Sequence, residues 1–187
     1  MPASEQVILD ADSVERALRR IAHEIVERNK GGGDVVLIGI RTGGEGIARR
    51  LAALLHEIDG AAVPCGYMDI TMYRDDIFHA KTHPQVHKTE IDFDTEGRIA
   101  VLVDDVIFTG RTIRAAMDAV MDFGRPRCIQ LAVLIDRGHR ELPIRPDFVG
   151  RNIPTSRGDL VNVRVTDDQS EDRVTLKQEE RKRKGEE

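Results

Sequence analysis

Two adjacent carboxylates, Asp104 and Asp105, follow an apolar, β-branched run and precede a loop of hydroxyls and glycine, Phe108-Thr109-Gly110-Arg111-Thr112. The run Ile99 to Val103 reads as a buried parallel strand, with the acids where that strand should end. From Thr112 the pattern turns helical, with Ile113, Met117, Val120 and Met121 at core-facing intervals. A helix N-terminus carries unpaired N–H groups and partial positive charge, so the loop suits a phosphate. Carboxylates accept hydrogen bonds and suit ribose hydroxyls. Acids beside a phosphate cradle therefore point to a phosphorylated sugar. Taken alone, the acid pair also reads as an ordinary strand end and the loop as an ordinary helix cap; all four elements in this order favour the ligand.

A second strand, Val35 to Ile40, leads into Arg41-Thr42-Gly43-Gly44 and a helix from about Glu45 to Ile58. Glycines after a strand let backbone N–H groups approach an anion closely. Arg41 adds a guanidinium suited to a diphosphate. A third strand, Cys128 to Ile135, ends in the polar loop Asp136-Arg137-Gly138-His139-Arg140. Strands alternating with helices imply a mainly parallel α/β sheet with right-handed crossovers. Ligands bind such sheets at the carboxyl ends of the strands, where all three polar loops fall.

The rest of the chain supports these elements. Asp10 to Lys30 reads as a helix with an apolar stripe of Val14, Leu18, Ile21, Ala22 and Ile25. Asp12 is its expected cap, with Glu15 completing a capping box, and Gly31 to Gly33 its stop. Ala62 to Tyr73 alternates as a strand, Asp147 to Val149 is short, and Leu160 to Val165 reads as an edge strand. Arg74 to Gly97 is polar, long and weakly periodic, which predicts a lid over the substrate. His79, His83 and His87 lie in this region, at spacings that match no helical metal-ligand pair with a supporting carboxylate.

At 187 residues the chain has room for one domain, expected over residues 1–176, followed by a charged tail over 177–187. No apolar run approaches membrane-spanning length, and the N-terminal residues lack the layout of a secretory signal, so a cytoplasmic protein is expected. Cys65 and Cys128 sit in apolar runs and read as buried core residues. The net charge of −5 argues against a general nucleic-acid binder. Between Arg125 and Arg157, however, seven arginines face three acids, a basic segment that reads either as a rim for anionic substrate or as an RNA footprint.

The run Val103 to Thr112 resembles the phosphoribosyl-pyrophosphate (PRPP) motif of type I phosphoribosyltransferases. The resemblance narrows to the PyrR family of pyrimidine-operon attenuators and uracil phosphoribosyltransferases through four further segments. These are Arg-Ile-Ala-His-Glu at 20–24, Asp-Ile-Thr-Met-Tyr-Arg-Asp-Asp at 69–76, Gln130 to Arg145, and Asn-Ile-Pro-Thr-Ser at 152–156. It implies that Asp104 and Asp105 hold the ribose, that Val106, Ile107, Phe108, Thr109, Gly110, Arg111 and Thr112 form the 5′-phosphate loop, and that Arg41, Thr42, Gly43 and Gly44 hold pyrophosphate. It also implies Asp136, Arg137 and backbone near Val161 beside uracil, Arg74 on the lid neutralising the leaving group, and Arg20, His23, Arg140 and Arg145 on an RNA-binding face away from the catalytic mouth. The implied reaction joins uracil and PRPP to give UMP and pyrophosphate. Magnesium (Mg2+) would be held mainly by PRPP and water, with no direct protein ligand. Implied partners include the pyrimidine-operon leader mRNA and further copies of the chain in a homodimer or higher oligomer. A sensor with vestigial catalysis and a purine phosphoribosyltransferase are the competing readings. One departure stands out: the attenuators usually carry Thr-Arg-Gly in the pyrophosphate loop, and this chain has Thr42-Gly43-Gly44.

Overall fold

The computed structural model describes residues 5–73 and 87–179. Five parallel strands form the central sheet in the order β3-β2-β4-β5-β6: β2 (Val35–Ile40), β3 (Cys65–Met68), β4 (Ile99–Ile107), β5 (Cys128–Asp136) and β6 (Phe148–Asn152). Helices α1 (Ala11–Asn29) and α2 (Gly43–Asp59) cover one face and α3 (Arg111–Val120) the other. The pleat decides which residue serves which face. Val35, Leu37, Val101 and Val103 pack with α1 and α2, while Val36, Ile38, Ala100 and Leu102 pack with α3. Burial on both faces is why β2 and β4 read as continuous apolar runs instead of alternating ones.

A second, antiparallel sheet in the order β1-β8-β7 consists of β1 (Glu5–Leu9), β8 (Arg173–Lys177) and β7 (Leu160–Arg164). Leu160 to Val165 is therefore an edge strand, as expected, but of this small sheet. Neither β1 nor β8 stands out in the sequence: both are five residues long, β1 beginning on Glu5 and β8 bounded by Arg173 and Lys177. Strand β8 runs through Lys177, the residue at which the charged tail is expected to begin, and pairs it with Glu5 and Leu160. Arg50 on α2 ties this sheet to the core. Its guanidinium bridges Glu15 on α1 and Asp172, whose carboxylate is fully buried and also accepts the Thr166 N–H at 2.8 Å.

Several local expectations change. The α1 cap is Asp10, which accepts the Ser13 N–H at 2.9 Å, so Asp12 lies in the first turn instead; Lys30, with φ 56°, ends the helix before the glycines. Of Ala62 to Tyr73, only Cys65–Met68 is strand, and Thr71–Tyr73 is a 3-10 turn. Cys128 is exposed, and Cys65 is part-buried, with burial pushing its thiol up to about 11. Met121 lies beyond the end of α3 and is 53% exposed, so it is not a core residue. Arg74 and the histidines at 79 and 83 fall outside the described residues. Among the described residues, no helix is long and apolar enough to cross a membrane.

Candidate active site

The carboxyl ends of β2, β4 and β5 lie side by side because those strands are sheet neighbours. The acid pair sits within β4, which continues to Ile107; the strand does not end at the acids as expected. Asp104 pairs with Val133, and Ile107 with Asp136. Asp104 is buried, and its Oδ1 accepts the Asp105 N–H at 2.9 Å; Asp105 Oδ1 accepts the Val106 N–H at 2.7 Å. Loss of hydration raises the Asp105 carboxyl above its ordinary value, opposed by these hydrogen bonds.

The loop after β4 turns at Gly110, whose φ of 92° suits glycine, and α3 begins at Arg111. Gly110 supplies no side-chain cap, but Thr109 Oγ1 accepts the Arg111 N–H at 3.3 Å, and this first turn of α3 borders a cavity of about 380 Å3. Asp104, Thr109, Gly110, Arg111 and Thr112 line that cavity together with Glu141. Glu141 was not singled out by the sequence pattern. Its carboxylate accepts Arg111 Nε at 2.9 Å and also binds Arg157, and these two arginines hold its carboxyl below the ordinary range.

Gly43 and Gly44 open α2 beside the acids. A Cβ on Gly44 would lie 2.0 Å from the Val103 carbonyl oxygen, so backbone packing demands glycine there. Thr42 caps α2 without a side-chain hydrogen bond, and the Arg41–Thr42 peptide is cis. Arg41 stands at the start of this loop, with its Nε buried and without a hydrogen-bond partner. Its guanidinium meets Glu90 at 3.0 Å and Glu45 at 3.4 Å, and lies 5.6 Å from the Tyr67 ring centroid.

The third loop builds a stacked pocket wall. Arg137 lies 4.2 Å above the Phe108 ring, and His139 meets the same ring edge-on at 6.0 Å. Phe108 therefore serves two loops, a role its place in the phosphate run does not announce. The Arg137 side chain donates to the Ser156 and Arg157 carbonyls at 2.9 and 3.2 Å, while its Nε is buried without a hydrogen-bond partner. Burial lowers the pKa of this guanidinium from its ordinary value. Asp136 accepts the Gly138 N–H at 2.9 Å and pairs with Arg140. Val161 lies on β7, paired with Leu176 and packed against the larger core.

The four expected RNA-side residues come from two parts of the chain, Arg20 and His23 from α1 and Arg140 and Arg145 from the stretch after β5. Arg140 braces the mouth itself, donating to the Phe108 carbonyl at 3.0 Å and the Ile144 carbonyl at 3.0 Å. Arg140 and Arg145 together line an open cavity of about 710 Å3 between the Asp136–Arg140 loop and Val149 to Thr155. Arg20 reaches the far side of β6, donating to the Val149 and Gly150 carbonyls at 3.1 and 2.6 Å, and His23 is exposed one turn along α1.

The phosphoribosyl transferase domain family matches residues 5–170. The chain is 56% identical over 176 residues to the bifunctional protein PyrR of Pelotomaculum thermopropionicum, covering 94% of this chain and 97% of that protein. It is 64% identical over 161 residues to the bifunctional protein PyrR of Citrifermentans bemidjiense, covering 86% and 91%. Hypoxanthine phosphoribosyl transferase of Trypanosoma cruzi superposes with a TM-score of 0.72 at 19% identity, over 95% of this chain and 93% of that one, a likeness of fold. Sequence, fold and the three converging loops agree: the chain is a phosphoribosyltransferase and belongs to the family of bifunctional PyrR proteins, uracil phosphoribosyltransferases that also regulate the pyrimidine operon.

Proposed function

We propose that the three loops form one site that transfers the phosphoribosyl group of PRPP to N1 of uracil, releasing pyrophosphate. The observation that carries this reading is the buried, unpartnered Nε of Arg137 over Phe108, whose ring also borders the cavity at the start of α3. A buried donor without a partner is costly, and a uracil carbonyl oxygen would satisfy it. Arg137 and Asp136 then hold the base, with Val161 contributing from the small sheet. Thr109 to Thr112 hold the 5′-phosphate, and Thr42 to Gly44 hold pyrophosphate through backbone N–H groups, Arg41 being engaged by two carboxylates.

As the C1–oxygen bond to pyrophosphate breaks, positive charge develops on the sugar. The carboxylates of Asp104 and Asp105, fixed by backbone N–H groups, stabilise it at no cost in reorganisation. N1 of uracil loses its proton to solvent and bonds to C1 on the opposite side, and the stacked wall keeps it in line. Magnesium bound with PRPP offsets the charge of the leaving pyrophosphate. The acid pair offers hard oxygen donors suited to that ion. Arg74, on the expected lid, completes the charge balance in this reading.

The RNA role falls to Arg20, His23 and Arg145, with leader mRNA as partner and UMP as the ligand that tightens the complex. Cytoplasmic location and assembly into a homodimer or higher oligomer belong to the same reading. A steady-state assay with PRPP tests the acceptor: uracil is consumed and hypoxanthine is not. Turnover of hypoxanthine at the higher rate would replace uracil with a purine.

A further inference from the structure

Gly43 and Gly44 begin the same helix, yet the structure needs them for different reasons. Gly44 faces backbone, the Val103 carbonyl, which cannot move without breaking the contact between α2 and β4. Gly43 faces only the end of a side chain. A Cβ there would lie 2.3 Å from Cγ of Asp105 and 2.4 and 2.5 Å from its carboxylate oxygens. The Asp105 carboxylate thus occupies the volume that any other residue at position 43 would fill. That seat lies against the first turn of α2, whose N-terminus no side chain caps, where a negative charge is favoured. Its other oxygen contact, the Val106 N–H at 2.7 Å, orients the same carboxylate from within β4.

We infer that Gly43 is a positioning residue: by leaving this volume empty it seats the Asp105 carboxylate between the sugar and the pyrophosphate loop. The inference rests on the reading of Asp105 as a sugar-facing acid and adds to it what determines the seat. An alanine at 43 displaces the carboxylate by rotation about its own side chain, because the Gly43 backbone has negative φ and tolerates a Cβ.

The test is a double-mutant cycle on the full-length protein with Gly43→Ala, Asp105→Ala and the pair, measuring kcat and KM for PRPP and the thermal melt of each. Residues in direct contact couple, and the expected coupling here is about tenfold or more in kcat/KM. Gly43→Ala alone lowers kcat by that factor with KM for PRPP within about threefold, because the sugar-facing charge acts in the transition state. In the Asp105→Ala background, where the volume is already vacant, Gly43→Ala changes residual activity less than about twofold. Equal losses in both backgrounds, or a loss confined to KM, would assign Gly43 to the pyrophosphate loop alone and overturn the inference. Wild-type activity in Asp105→Ala would overturn the reading of the acid itself, and the inference with it. Should Gly43→Ala fail to fold, a folded double variant supports the inference, since removing the carboxylate then restores the space the Cβ needs; an unfolded double variant overturns it.

Discussion

Arg137→Lys isolates one atom of the proposed base site. Lysine keeps the positive charge and can keep one of the bonds to the Ser156 and Arg157 carbonyls, but it has no counterpart of Nε. A hydrogen bond from a charged donor contributes about 1.5–3 kcal/mol, and each ~1.4 kcal/mol is a factor of ten, so KM for uracil rises by about 10- to 150-fold. The cation over the Phe108 ring is retained in part, so the stack contributes only a further small loss. Losing one carbonyl contact costs about 1 kcal/mol, or about 2–4 °C in Tm for a protein of this length, which leaves the site folded. The assay varies uracil at saturating PRPP and then PRPP at saturating uracil, alongside a thermal melt. KM for PRPP stays within about threefold in this scheme, because the phosphate loops are untouched. A KM for uracil within about threefold of wild type would refute the placement of the base against Nε.

Asp105→Asn lowers kcat/KM by about two orders of magnitude, on the scale of a lost electrostatic stabiliser. Burial raises the Asp105 carboxyl, so keeping it ionised costs folding free energy above the unfolded value of 3.8. The asparagine variant therefore melts higher than wild type at neutral pH, with the difference closing in acid; a lower melt at pH 7 would contradict that sign. Arg50→Met leaves the fully buried Asp172 carboxylate without its cation and costs about 3–5 kcal/mol by denaturant titration; a loss below about 1 kcal/mol would show that the small sheet is held otherwise. Arg20→Ala with His23→Ala weakens binding to the leader RNA and flattens its salt dependence by about one unit of slope per lost phosphate contact, with uracil turnover unchanged. Arg140→Ala behaves differently and lowers turnover, because its guanidinium braces Phe108 and Asp136. RNA affinity unmoved by the Arg20 and His23 pair would move the footprint elsewhere.

Local chemistry made much of this protein legible in its residues. Strands β2, β4 and β5 are largely apolar runs rich in β-branched residues because both their faces are buried, and the two strand-to-helix loops are marked by their glycines and hydroxyls. The α1 stripe is read correctly from its period because one face alone is covered. Its cap is misread by two residues, since Asp10 and Asp12 are the same residue type and only backbone geometry separates them.

Tertiary structure decided what pairing at long range decides. Strands β1 and β8 are short and polar at their outer ends, and β1 becomes a strand only by joining β8 across more than 150 residues of chain. The orientation of Arg41 toward Glu90 and Tyr67, and of Arg140 toward Phe108, depends on neighbours 26 to 49 positions away, which no local pattern contains. The same holds for Glu141 at the phosphate cavity and for the carboxylate of Asp105 in the space beside Gly43. Charge and size are written in residue type, so the sequence alone supports the class of ligand. Which charge faces the ligand and which is spent on a neighbour depends on where the crossovers bring side chains together, and that is set only when the sheet is assembled.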